Sequence, residues 1–335
     1  MKFKLTLETK KSEIKISYTD KLVLLGSCFT ENIGAKLNNH LFSTLENPHG
    51  ILFNPVSVFN ALDDYINCKT HQETDLFFHN EVWNSWQHHS RFSGVDKKAT
   101  LDQINASIKE AHHYLKTADH LVITLGSAWL YHLNKEAPLG NGQVVANNHK
   151  GPNEWFIKSL MDPADLIKKL HEVIAALNKF NPHLQLIFTI SPVRHLREGL
   201  VENNRSKAVL IHAVHEVIAL NANAHYFPAY ELVMDDLRDY RFYAEDLVHP
   251  NYAATGYVWE KLVETFMDNS TQDIMKQVAA LQLAVQHKPF FKGSSAHQQF
   301  LQQSLQKAKQ LAAQYPFLPL QNHLQFFTKE LANNA

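Results

Sequence analysis

The chain has 335 residues, 45% of them hydrophobic and 19% charged, a make-up that excludes a disordered protein. With 32 basic against 33 acidic side chains the formal net charge is −1, so no global field draws the chain to nucleic acid or to an anionic membrane, and neither is expected as a partner. Two cysteines, Cys28 and Cys68, exclude a disulfide framework and fit a reducing compartment. The start of the chain lacks an apolar core of signal-peptide length and no later run approaches a membrane span, so a cytoplasmic location is expected. The 21 histidines fall in no short Cys/His spacing of the zinc-site kind, and neither a metal nor a cofactor is expected.

In chain order, residues 3–7 and 13–17 alternate like short edge strands. Residues 22–25, all apolar, read as a buried strand, and Gly26 breaks the run before Ser27, Cys28 and a helix over 31–39. A strand, a tight turn and a helix place Ser27 beside backbone N–H groups that lack intrahelical partners. Residues 41–55 read as a strand and a Pro/Gly-punctuated loop, followed by a helix with Val56, Phe59, Leu62 and Ile66 on one stripe. The aromatic and His-rich segment 71–98 reads as a hairpin excursion near the active face, as much packing as ligand contact. A helix over 101–117 and a strand over 120–125 lead to Gly126-Ser127-Ala128-Trp129. The loop containing residues 144–152 is long enough to act as a cover. Asp162-Pro163 opens a helix striped by Leu166, Leu170, Val173 and Leu177. A strand over 184–190 runs into Ser191-Pro192-Val193-Arg194-His195, and a helix carrying Leu210, Val214 and Val217 precedes a short strand at 225–227.

This alternation is the signature of an α/β fold, a three-layer sandwich with a mainly parallel central sheet, whose chemistry sits at the carboxyl ends of the strands. Ser27, the 47–54 loop, Gly126-Ser127, residues 191–195 and the 240–250 loop all fall at that edge. After Met267, two amphipathic helices form a C-terminal helical extension. The domains expected are therefore 1–267, catalytic, and 268–335, helical.

Asp246 and His249 lie three apart in a loop closed by Pro250, where a carboxylate can hold an imidazole tautomer for proton transfer. With Ser27 they form a Ser–Asp–His order. The string Gly26-Ser27-Cys28-Phe29 resembles the signature of the GSCFA family, related to the SGNH (GDSL-like) hydrolase superfamily. NPHGILFNP at 47–55, VVANNHK at 144–150, SPVRH at 191–195 and the long stretch 226–250 resemble it as well. The resemblance covers roughly residues 20–265. It implies an SGNH/flavodoxin-like fold, Ser27 as nucleophile, Asp246 and His249 as its partners, and the N–H groups of Ser27 and Gly50 as oxyanion donors. The third donor of that superfamily is an Asn after the next strand, where this chain has Gly126-Ser127; Asn54, Asn147 or Ser127 are the available substitutes. His149, Arg194 and His195 complete the candidate substrate-binding set, although the favoured reading of Arg194 is a pair with Asp235, Asp236 or Asp239. Cys28 is the alternative nucleophile, less favoured because adjacent side chains do not share a cleft.

The function implied is a serine esterase or deacylase acting on a small O-acyl ester, such as an O-acetylated carbohydrate. O-acyl transfer by the same triad and a non-catalytic glycan- or ligand-binding module are the alternatives. The sequence does not set the oligomeric state.

Overall fold

The structure, a computed structural model, describes residues 5–333. Its frame grows from β1 (Lys21–Gly26), in which every residue after Lys21 is buried. Burial on both faces requires a continuous apolar run, and 22–25 supplies it. α1 (Cys28–Asn39) follows, then β2 (Ser43–Glu46) and α2 (Pro55–Asn67). A hairpin of β3 (Leu76–His79) and β4 (Val82–Ser85) precedes α3 (Lys97–Leu115) and β5 (His120–Leu125). A second hairpin, β6 (Trp129–Leu133) and β7 (Phe156–Leu160), leads to α4 (Pro163–Phe180), β8 (Gln185–Ile190), α5 (Leu200–Ile218) and β9 (Ala224–Phe227). After one helical turn, α6 (Ala229–Glu231), come α7 (Tyr252–Phe266), α8 (Asn269–Gln286), α9 (Ser295–Gln314) and α10 (Gln321–Asn333).

Five strands form one parallel sheet in the order β2-β1-β5-β8-β9. Alternation along each strand divides the core in two. Val23, Leu25, Leu121, Ile123, Leu186 and Phe188 face the layer of α2–α5. Leu22, Leu24, Val122 and Ile187 face α1 and α7. The C-terminal helices join this second cluster through Val278, Leu301, Leu311 and Phe327, so their apolar stripes pack against the sheet domain. Among the described residues no helix is long and apolar enough to cross a membrane.

Four sequence expectations need correction or addition. Residues 5–7 and 13–17 are not strands: Ser12 and Ile16 donate their N–H groups to the carbonyls of Thr265 and Phe266 at the end of α7. Residues 3 and 4 lie outside the described residues. The β6–β7 hairpin was not expected, because its outward positions break the apolar alternation. α10 was missed because only His323 and Phe327 mark its buried face. The aromatic segment is a hairpin, but Phe77 and Trp86 stack at 3.8 Å and form a small core with Leu133, Val145 and Phe156.

Gly26 ends β1 with φ +137°, and a Cβ there would lie 2.1 Å from the Thr124 carbonyl oxygen. Both the backbone angle and the neighbouring strand exclude a side chain. Gly26→Ala is expected to destabilise the fold by about 3 kcal/mol or more, read from urea unfolding.

Candidate active site

The turn from β1 into α1 sets Ser27 at the helix N-cap with extended backbone. Its hydroxyl makes no cap bond, although a serine there ordinarily would. The residue is fully buried, and Oγ has no hydrogen-bond partner among the described residues. Its N–H donates to the Thr124 carbonyl at 3.1 Å, and the Gly50 N–H donates to the Asn47 carbonyl at 2.7 Å. Both expected oxyanion donors are thus engaged with backbone carbonyls in this conformation. The neighbouring Cys28 packs against the helical core, and burial, followed by Glu31, pushes its thiol pKa up, away from a reactive thiolate.

Asp246 holds the 246–249 turn. Oδ1 accepts the N–H groups of Val248 and His249 at 2.9 and 3.0 Å, and Oδ2 lies 2.7 Å from His249 Nδ1. These bonds, led by the one from the His249 backbone, hold the Asp246 carboxyl down to about 2. An ionised carboxylate only accepts, so the His249 proton sits on Nδ1 and the Nε2 lone pair is free of it. Both side chains are about half exposed.

A cavity of about 370 Å³ opens at the same edge of the sheet. Asn54, Ser127, Asn147, Arg194 and His195 line it; Ser27, Gly50, Gly126, His149, Asp246 and His249 are not among its walls. Its aromatic surface comes from Phe53 and from Trp129 and Tyr131 on β6 rather than from the 71–98 segment. The candidate substrate-binding residues gather here only in part, and several have structural work. Asn54 Oδ1 caps α2 by accepting the Ser57 N–H, while Nδ2 donates to the Val145 carbonyl. Ser127 Oγ pairs with Ser206 Oγ. Asn147 Oδ1 accepts the His149 N–H. His149 donates Nε2–H to the Ser85 carbonyl, and burial pushes its pKa down to about 4. Arg194 stacks on Tyr243 and Tyr240 and donates to the Leu247 carbonyl, so it braces the loop that carries Asp246 and His249. Asp239 meanwhile pairs with Arg241. Burial, then Lys207 and His249, lowers His195 to about 3, and its Nε2 has no partner. The Gly126 carbonyl beside it accepts from Lys207.

The family model for the GSCFA family matches residues 21–262, more than half of the chain. The chain belongs to the GSCFA family. A second model, described as the GSCFA domain protein C-terminal domain, matches residues 278–333, which the sequence resemblance had left outside. A search of curated proteins returns no match. Solved structures similar to this GSCFA chain include a mutant acetyl esterase crystallised with acetate ion, at 10% identity and TM-score 0.34, covering 78% of this chain and 100% of that one. Another is a carbohydrate esterase family 3 protein from Talaromyces cellulolyticus, at 8% identity and TM-score 0.34, with 78% and 99% covered. A carbohydrate esterase family 2 enzyme from Corynascus thermopiles (Myceliophthora fergusii) aligns at 13% identity and TM-score 0.37, with 81% and 69% covered.

One buried residue at this edge of the sheet escaped sequence reasoning. Lys207 on α5 is buried, and its Nζ donates to the carbonyls of Gly126 at 2.5 Å and Ser191 at 2.7 Å. The signal was present: Asn203, Ser206 and Lys207 continue the stripe of Leu210, Val214 and Val217 toward the helix N-terminus in polar form. Burial lowers the Lys207 pKa to about 7 from 10.5. Because the folded state binds this proton less tightly than the unfolded chain, the group adds stability as pH rises from about 7 to 10.5, and that increment is lost on descending the same window. Lys207→Met is expected to cost about 2–4 kcal/mol by stranding two buried carbonyls. Urea unfolding of both proteins across pH 7–10 checks this, and the wild-type advantage should widen toward the alkaline end.

Proposed function

We propose that this GSCFA protein is a serine ester hydrolase of the SGNH type. Ser27 is the nucleophile, His249 its general base and Asp246 the group that fixes the imidazole. The observation that carries the reading is the Ser27 hydroxyl: buried at a helix N-terminus, it neither caps the helix nor meets any other partner. A buried hydroxyl without a hydrogen bond costs stability, and this one, at the turn from β1 into α1, is left uncommitted for nucleophilic attack. Ser27 Oγ attacks the ester carbonyl as its proton passes to His249 Nε2, and the ionised Asp246 stabilises the imidazolium. His249 returns the proton to the leaving alcohol, and water then releases the acyl group by the reverse sequence. The reaction requires Ser27 to be uncovered on substrate binding and at least one of the N–H groups of Ser27 and Gly50 to exchange its carbonyl partner for the oxyanion. A small O-acyl ester, such as an O-acetylated sugar, is the substrate class of this reading; the cavity walled by Trp129, Tyr131 and Arg194, which neither Ser27 nor His249 lines, would take its alcohol part.

A second reading, a ligand-binding module without turnover, is favoured by two of the same facts: Ser27 is sealed and both candidate oxyanion donors are engaged. Labelling with a fluorophosphonate probe and turnover of p-nitrophenyl acetate separate the two. The hydrolase reading expects the label on Ser27, no label in Ser27→Ala, and a fall in kcat on the order of 10³–10⁴ in Asp246→Asn. A folded wild-type chain that takes no label at Ser27 and turns over no ester supports the binding module and overturns the enzyme.

A further inference from the structure

Away from the Ser27 site, three histidines and an aspartate converge inside the protein. His49 comes from the loop after β2, Asp64 from α2, His71 from the segment after α2, and His88 from the turn after β4. All four are at most 5% exposed. One ring nitrogen from each histidine lies within 4.8 Å of the others. Asp64 Oδ2 stands 2.9 Å from His71 Nε2 and 3.3 Å from His49 Nε2. Ligands of a tetrahedral zinc ion, at about 2.0–2.1 Å from the metal, lie roughly 3.3 Å apart, which these separations bracket.

Two further features point to a ligand at the centre of the cluster. His88 Nε2 is buried and has no hydrogen-bond partner among the described residues, although it faces the two rings that hold Asp64. Each ring also has a partner on its other nitrogen. His49 Nδ1 is 2.8 Å from Tyr65 Oη, His88 Nδ1 is 2.8 Å from Ser85 Oγ, and His71 Nδ1 is 3.5 Å from Asp75 Oδ2. That outer set holds ligating imidazoles in register and leaves every Nε2 facing inward. Lys69 Nζ lies 3.2 Å from Asp64 Oδ1, which orients the carboxylate with Oδ2 toward the rings.

We propose that His49, His71 and His88 form the core of a structural divalent-metal site, which Asp64, now placed against His49 and His71, moves to close as the fourth ligand; zinc is the ion suited to three imidazoles and one carboxylate. On binding, His49 and His71 pass from the Nε2–H to the Nδ1–H tautomer. Each Nε2 lone pair then goes to the metal and each Nδ1–H to its outer partner, so no proton is gained or lost overall. With four protein ligands and no access to solvent, the site holds structure together rather than supplying a reactive water. It ties α2 and the β3–β4 hairpin to the loop of Gly50, whose backbone is left-handed and whose neighbour His49 accepts the His89 N–H.

The test uses the full chain expressed in zinc-supplemented medium, analysed for metal after gel filtration and reconstituted with Co²⁺ after chelation. The expected results are about one zinc per chain, the visible absorption of four-coordinate tetrahedral Co²⁺, and a Tm that falls on chelation and recovers with Zn²⁺. Tyr65→Phe, which keeps all four ligands, should weaken zinc binding about tenfold. His88→Ala should hold no metal, whereas His132→Ala, outside the cluster, should retain it. A folded wild-type chain with neither zinc nor a tetrahedral Co²⁺ spectrum, and no Tm response to either ion, overturns the site. Metal that survives unchanged in His88→Ala overturns it as well.

Discussion

The side-chain nitrogen of Lys207, wedged between the carbonyls of Gly126 and Ser191, holds this edge of the sheet together. β5 and β8 end at neighbouring positions there, and a carbonyl leaving a parallel ladder inside the protein has no strand left to donate to it. Water would serve at a surface; here a single nitrogen donor serves both. The same helix face continues the task. Asn203 accepts the His195 N–H, and Ser206 accepts the Ala128 N–H. α5 is therefore apolar where it lies on the sheet and polar where it overhangs the strand ends. That division fixes the turns carrying Ser127 and His195, and with them one wall of the cavity.

Local patterning accounts for what the sequence made legible. The alternation of the central strands, Asn54 and Asp162 each capping a helix that begins with proline, and the Asp246–His249 pair within one turn all depend on residues a few positions apart. Lys207 and the His49–Asp64–His71–His88 cluster depend on partners brought together only by folding: Lys207 reaches Gly126, 81 positions away, and His49 meets Asp64, 15 away. The aromatic segment shows the limit from another side. Composition marked it as unusual, but only the packing of Trp86 against Phe77 and Phe156 shows that its rings face one another. The asparagines are similar: their chemistry is the same in sequence, and the contacts divide them. Asn47 accepts the Gly26 N–H, Asn54 ties α2 to Val145, and Asn147 is left at the cavity with its amide nitrogen uncommitted.

The environment of each histidine near the sheet edge narrows which can act as a base. A general base works best when its pKa lies near the ambient pH, because a group that binds protons too weakly gains little from taking one. His149 and His195 are buried, at about 4 and about 3, so each remains neutral and a poor proton acceptor at neutral pH. His195 is depressed further by Lys207 on one side and His249 on the other. His249 differs in kind: its ring is half exposed, and a carboxylate already in place 2.7 Å away would stabilise the cation formed when it takes a proton. Of these three rings, only that of His249 is hydrogen-bonded to a carboxylate. On the proposed hydrolase reading the Ser27 proton goes to this imidazole, and the loop that holds it is the one Arg194 braces through the Tyr240 and Tyr243 rings.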